Sequence, residues 1–175
     1  MGVIFVAGVH AVGKTTACSH AAGALNIAHY TASGLIKAEK ATAIPLRGKV
    51  AADIEGNQHL LIRGVRKALD ESKGRMILDG HFSLPDTRGE FQVVELEVFR
   101  ALTLSGVVVF HDEPEAIVAR RHLRDGERHS RETITHHQEL ELAHARLVSA
   151  ELQIPLKLLA AFDSAGLVET IGEWC

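Results

Sequence analysis

Gly8, Gly13, Lys14 and Thr15 stand at the spacing G-x-x-x-x-G-K-[ST], within the stretch Gly8-Val9-His10-Ala11-Val12-Gly13-Lys14-Thr15. That spacing suits one chemistry. The glycines let backbone N–H groups converge on phosphate oxygens, a lysine reaches the β- and γ-phosphates, and a hydroxyl ligates Mg²⁺. Gly8, His10, Ala11, Val12, Gly13, Lys14, Thr15 and Thr16 are therefore the expected wall of an ATP site. A second candidate is Asp79, which follows three apolar residues at 76–78. A carboxylate there suits a Mg²⁺-bound water or, more plainly, a turn cap at a strand end. The third group is basic: five of the twelve arginines (Arg120, Arg121, Arg124, Arg128 and Arg131) fall within residues 120–131. Arg120 and Arg124 are one helical turn apart and share a face. A transferring phosphoryl group spreads negative charge over three oxygens, so several guanidiniums match its needs. A solvated charged helix face, helped by Asp125, Glu127 and Glu132, is the plainer reading. The expected catalytic set is Lys14, Asp79, Arg124, Arg128 and Arg131, with Thr15 and Asp79 (through water) on the metal.

These residues need a frame, and the hydrophobic pattern supplies one. Strand-like runs at about 3–7, 27–30, 76–78, 106–112 and 154–161 alternate with helical patterns. The helices are expected at about 14–24, 33–41, 51–72, 93–103, after Pro114, at 132–153 and from Asp163 onward. Such alternation predicts an α/β domain, a three-layer phosphate-loop NTPase fold around a five-stranded parallel sheet. The segment 83–91, with Pro85 and Gly89, reads as a loop. One domain over residues 1–175 is expected, with a helical acceptor-binding part at about 31–72 and a short arginine-rich lid at about 124–132.

Bulk properties narrow the function classes. A net charge of −3 gives no global attraction to nucleic acid or membrane. The arginine patch also lacks the interleaved aromatics of a nucleic-acid surface, so neither DNA nor RNA is expected. The apolar run at 3–9 is too short to span a bilayer and has no basic flank. Cys18 and Cys175 have no metal or redox spacing, which points to a reducing, cytoplasmic setting. No N-K-x-D motif marks a GTPase, and "DIEG" at 53–56 lies in a helical segment without a preceding strand. The length argues against an AAA+ module with its lid domain, and no LSGG signature is present. A compact kinase or a nucleotide-gated binder remains.

Taken together, the motifs give the chain a family likeness. It resembles the nucleoside monophosphate kinases of the phosphate-loop superfamily, and within them the small archaeal-type adenylate kinases and related bacterial ATP-binding proteins. The likeness runs through "GVHAVGKTT", "SGLIKAEK", "DIEGNQHLLIRGV", "ILDGH" and "EPEAIVARRHLRDGERHSR". It implies that Arg120 stacks on the donor base and that Arg124 contacts donor phosphates. Arg128 and Arg131 would belong to a lid over the transferring group. Lys37 would replace the arginine that grips an acceptor phosphate, offering a point charge rather than a bidentate fork. His10-Ala11 stands where the family has Pro-Gly, which turns His10 toward the acceptor or leaves it in solvent. His81 replaces the first variable residue of the D-G-x-P-R pattern, and Arg88 is the candidate for its missing arginine. Asn57 and Gln58 resemble acceptor-side polar residues, or are a surface amide pair. The implied acceptor set is His10, Lys37, Gln58, His81 and Arg88.

The choice of acceptor turns on charge. A hydroxyl acceptor benefits from a carboxylate base, and Asp79 alone could serve. A phosphate acceptor needs only positioning and neutralisation. The arginine-rich, carboxylate-poor layout favours Mg·ATP-dependent transfer to a nucleoside monophosphate. The alternatives are a small-molecule kinase with Asp79 as base, and an ATP-binding regulatory protein with little turnover.

Overall fold

The computed structural model describes residues 2–42, 54–86, 88–126 and 129–174. Its centre is strand β1 (Gly2–Ala7), buried along its whole length. The further strands of the main sheet are β2 (Ala28–Thr31), β3 (Arg75–Asp79), β6 (Leu104–His111) and β7 (Leu156–Ala160). They run in the order β2-β3-β1-β6-β7, and every neighbouring pair is parallel. The expected five-stranded parallel sheet is present.

Strand alternation explains the layers. Val3, Phe5 and Ala7 point to one face. There they pack with Val65 of α3 (Ile54–Glu71), Phe99 of α4 (Leu96–Ala101) and Val148 of α6 (Arg131–Leu152). Ile4 and Val6 point the other way. They meet Ala17 of α1 (Lys14–Leu25), Ile117 of α5 (Pro114–Asp125) and Leu167 of α7 (Ser164–Glu173). With both faces covered, β1 must be a continuous apolar run, and its sequence is one. The remaining helix, α2 (Ala32–Thr42), follows β2 directly and packs on α3.

The topology also locates the site. The sheet grows outward from β1 in both directions, so a crevice opens at the carboxyl ends of its strands. The β1–β3 register pairs Val6 with Asp79, which sets Asp79 beside the point where the chain leaves β1.

Two expectations about secondary structure are corrected. Residues 83–91 are not a plain loop. They belong to a small antiparallel hairpin, β4 (Ser83–Pro85) and β5 (Phe91–Val93). Its turn is organised by Asp86, whose Oδ1 accepts from the N–H groups of Arg88 and Glu90. Strands of three residues are too short to show a period-two pattern. The helix expected at 93–103 shrinks to α4, because Val93 pairs in β5 and the Val94 N–H donates to Phe82. Both ends of the expected lid, about 124–132, are helical: α5 runs to Asp125, with Gly126 after it at φ 70°, and α6 begins at Arg131 behind Ser130, whose hydroxyl accepts from the Thr133 N–H. Residues 51–53 of the expected long helix and the lid residue Arg128 lie outside the described residues.

Candidate active site

The phosphate loop forms because two glycines allow it. Gly8 has φ 135°, and a Cβ there would stand 2.5 Å from the Phe110 carbonyl oxygen. Gly13 has φ 94°, and a Cβ there would meet the Phe162 ring at 2.6 Å. Helix α1 then begins at Lys14, so its N-terminal amides and partial positive charge point into the crevice. Lys14 is buried; its Nζ donates to the carbonyls of Gly8 at 2.6 Å and Val9 at 3.3 Å and lies 4.0 Å from Asp79. Burial pulls the lysine pKa down, and the Asp79 charge opposes that.

The Thr15 hydroxyl donates to Asp79 Oδ2 at 2.5 Å. A hydroxyl and a carboxylate meeting beside a phosphate loop form a hard-oxygen donor set that fits Mg²⁺. Bound there, the ion would neutralise phosphate charge during transfer. Cys18 Sγ, a His29 ring nitrogen and an Asp79 oxygen also lie within 4.8 Å of one another. Burial pushes the Cys18 thiol well up, which disfavours a thiolate.

A cavity of about 650 Å³ joins these groups. On the β6–β7 side it is lined by Arg120, Arg124 and Phe162. Arg120 is held from three directions. Its Nε donates to the Ala11 carbonyl at 2.8 Å, an Nη donates to Asp112 at 2.6 Å, and its guanidinium lies 5.1 Å from the Phe162 ring centroid. On the β2–β3 side the lining includes Thr31, Ser33, Asn57 and Gln58, with an apolar wall beyond. Residues 10–16, Asp79 and His81 lie between the two ends.

The structure brings together most of the expected site. His10, Ala11, Val12, Gly13, Lys14, Thr15, Thr16, Gln58, Asp79, His81, Arg120 and Arg124 all line this cavity. Gly8 lies beneath the loop, buried. Three expected residues fall elsewhere. Ile36 lines the cavity, and the next residue along α2, Lys37, is turned about 100° away into solvent. Arg88 sits in the hairpin turn, its side chain 80% exposed and 3.9 Å from Asp86. Arg131 opens α6 and pairs with Glu115 at 2.7 Å, both exposed.

Sequence reasoning missed two features. Phe162, in the turn after β7, supplies an aromatic surface to the Arg120 end of the cavity and gave no periodic signal. Glu141, on α6, is wholly buried beneath the loop. Its Oε2 accepts from the Gly8 N–H at 3.1 Å, and its Oε1 accepts from the Ser83 N–H at 2.6 Å and hydroxyl at 2.7 Å. Burial raises its pKa. A distance of 133 residues separates Glu141 from Gly8, so no local pattern marks it.

Imidazoles gather behind the loop. The His10 and His81 rings lie 4.3 Å apart, and His137 stacks on Phe91 at 3.9 Å. The His10 ring opens on the cavity, yet surrounding protein, then the charges of Lys14, Arg121 and Arg124, hold its pKa down to about 4. Burial likewise holds His137 down to about 4 and His81 well below the ordinary value.

Residues 7–138 match the AAA_17 family, described as an AAA domain. The chain belongs to this family. Length alone had argued against an AAA+ module with its lid; the match brings the AAA description back for the stretch that holds the nucleotide-binding core. The fold of this AAA-domain chain is shared with several solved kinases. A gluconokinase from Sinorhizobium meliloti 1021 is 15% identical, covers 96% of this chain and 87% of its own, and aligns at TM-score 0.54. A sugar kinase from Janibacter sp. HTCC2649 is 16% identical, with 99% and 94% covered and TM-score 0.56. A shikimate kinase from Bacteroides thetaiotaomicron is 16% identical, with 98% and 96% covered and TM-score 0.55. At such identities the likeness is one of fold. None of the curated proteins compared matches the chain. Together these give an AAA-domain chain whose fold is that of several solved kinases, and they do not single out the adenylate kinases. Among the described residues, no helix is long and apolar enough to cross a membrane.

Proposed function

We propose that the chain is an ATP-dependent kinase for a small-molecule hydroxyl acceptor, with Asp79 as general base. One observation carries this reading. Among the described residues lining the cavity, the cations are Lys14, Arg120 and Arg124, all on the loop or at the donor end. The acceptor end offers neutral side chains, and the one carboxylate among the described lining residues, Asp79, lies between the two ends. Lys37 and Arg88, the cations that the resemblance implied for an acceptor phosphate, do not reach the acceptor end. An anionic acceptor there would face Asp79 with Lys14 alone beside it, at 4.0 Å and already engaged with that carboxylate and two loop carbonyls, whereas a hydroxyl gains a proton acceptor. That the folds of a gluconokinase and a shikimate kinase are similar agrees with this reading.

In the reaction ATP lies with its phosphates on the loop amides and Lys14, and its base toward Arg120 and Phe162. Asp79 Oδ2 orients the Thr15 hydroxyl, and Oδ1 receives the acceptor proton. The acceptor oxygen forms its bond to the γ-phosphorus as the β–γ bridging bond breaks, and ADP leaves. Arg124 neutralises charge on the phosphoryl oxygens.

The test uses γ-labelled ATP with hydroxyl acceptors, monophosphates and no acceptor. Label is expected in hydroxyl compounds, and Asp79→Asn should lower kcat about 10²–10⁴-fold, without rescue by raised Mg²⁺. A loss below tenfold, or full rescue by Mg²⁺, would leave Asp79 a metal-shell residue and remove the base. Preferred transfer to monophosphates would restore the nucleotide acceptor. Tight ATP binding with no transfer to any acceptor would make the chain a nucleotide-gated binder.

A further inference from the structure

The walls of the acceptor end say what kind of hydroxyl compound fits. Phe5 of β1, Ile36 of α2, Leu61 of α3, Leu84 of β4, and Val98 and Phe99 of α4 all line it. Five elements thus converge to present hydrocarbon to a cavity that also holds Asp79. The half-buried Ile36, Leu61 and Leu84 form the face of this wall, and behind it the buried Phe5 and Phe99 meet edge to face at 5.4 Å and contact Phe82 at 5.0 and 4.8 Å, a fixed aromatic backing. Gly80 lets the Phe5 ring lie close: a Cβ there would stand 2.7 Å from it.

A polyhydroxylated open chain would strand its hydroxyls against this wall, and burying unpaired polar groups is costly. A sugar acid would carry a carboxylate to an end where no described lining residue is cationic. A flat ring does neither: its faces cover hydrocarbon, and its polar edge needs only a few placed partners. Two are present. Asn57 and Gln58, consecutive on α3, line the cavity, and each offers an amide N–H donor pair and a carbonyl acceptor. Such amides match the alternating donors and acceptors on the edge of a nitrogen heterocycle.

We infer that the acceptor is an uncharged heterocyclic compound bearing a hydroxyl, of the nucleoside class. The ring lies against Ile36, Leu61 and Leu84, its edge meets Asn57 or Gln58, and its hydroxyl reaches Asp79. This rests on the hydroxyl-acceptor reading above. The transfer is the one already written, with the nucleoside hydroxyl oxygen as nucleophile, its proton passing to Asp79 and ADP as leaving group.

The experiment gives the full chain Mg·ATP and compares kcat/KM for ribo- and deoxyribonucleosides, their 5′-monophosphates, gluconate and shikimate. A nucleoside is expected to exceed gluconate and shikimate at least tenfold, and Gln58→Ala to raise its KM several-fold more than it lowers kcat. Preference for gluconate or shikimate would overturn the ring assignment and leave the hydroxyl-kinase reading standing. Preference for the monophosphates would overturn both. Transfer to no member of the panel would also overturn the assignment, and so would a Gln58→Ala effect confined to kcat.

Discussion

A single buried carboxylate does more for the shape of this site than its distance in sequence suggests. Glu141 satisfies three donors, the Gly8 N–H and the N–H and hydroxyl of Ser83, in a place with no access to water. It thereby ties the first glycine of the phosphate loop to the segment that follows His81. Removing it leaves those donors unpaired, and each unpaired buried group costs about 1–3 kcal/mol. Glu141→Ala should therefore destabilise the fold by about 3–4 kcal/mol. Glu141→Gln keeps the shape but turns an NH₂ toward one donor, and should cost about 1–2 kcal/mol. Urea unfolding of the two variants checks the order. A Glu141→Gln variant as stable as the wild type would mean that Glu141 acts by volume alone.

At the scale of elements, the donor end is assembled by one guanidinium. Arg120 projects from α5 and joins the phosphate loop at Ala11, the end of β6 at Asp112, and the turn after β7 at Phe162. Losing the side chain should loosen the surface proposed for the donor base while leaving Lys14, Thr15 and Asp79 in place. Arg120→Ala is expected to raise the KM for ATP roughly tenfold, equivalent to about 1.4 kcal/mol of binding, and to lower kcat less. Steady-state kinetics with ATP varied at saturating acceptor test this. An effect mainly on kcat would assign Arg120 to phosphoryl transfer instead. The same view explains the expected lid arginine Arg131: as the first residue of α6 it is drawn to Glu115, in the first turn of α5.

For the whole molecule, burial of imidazoles couples stability to pH. His137 is buried between α6 and the hairpin, and its pKa is held to about 4 against 6.5 for a free imidazole. Between those values the unfolded chain takes up a proton that the folded chain does not. Stability is therefore fully present above pH 6.5 and is lost as pH falls toward 4. Glu141, whose pKa burial raises, works in the opposite direction, so the net curve is shallower than the histidine alone would make it. His137→Phe keeps a ring against Phe91 and removes the titration. Relative to this variant, the wild type should lose on the order of 1–2 kcal/mol between pH 6.5 and 4, a figure discounted for solvent near the cavity. Denaturant melts at several pH values measure it, and parallel curves would show that His137 carries none of the dependence.

How much of this was legible in the sequence follows from which interactions are local. The phosphate loop was, because its glycines, lysine and threonine act within eight residues through backbone geometry that any chain with that spacing shares. The parallel sheet was too, because strands buried on both faces must be continuous apolar runs. Asp79 was visible as a charge at the end of such a run. The hairpin was not, since three-residue strands carry no period. Glu141 and Phe162 were not, since their partners lie on other elements. Lys37 and Arg88 looked like acceptor contacts because charge and approximate position are sequence properties. Whether a side chain faces a cavity depends on the rotation of its helix and the tilt of its turn. That depends on packing, and so the tertiary structure alone decided that the cavity beside Asp79 is walled by hydrocarbon and the Asn57 and Gln58 amides, with Lys37 and Arg88 directed elsewhere.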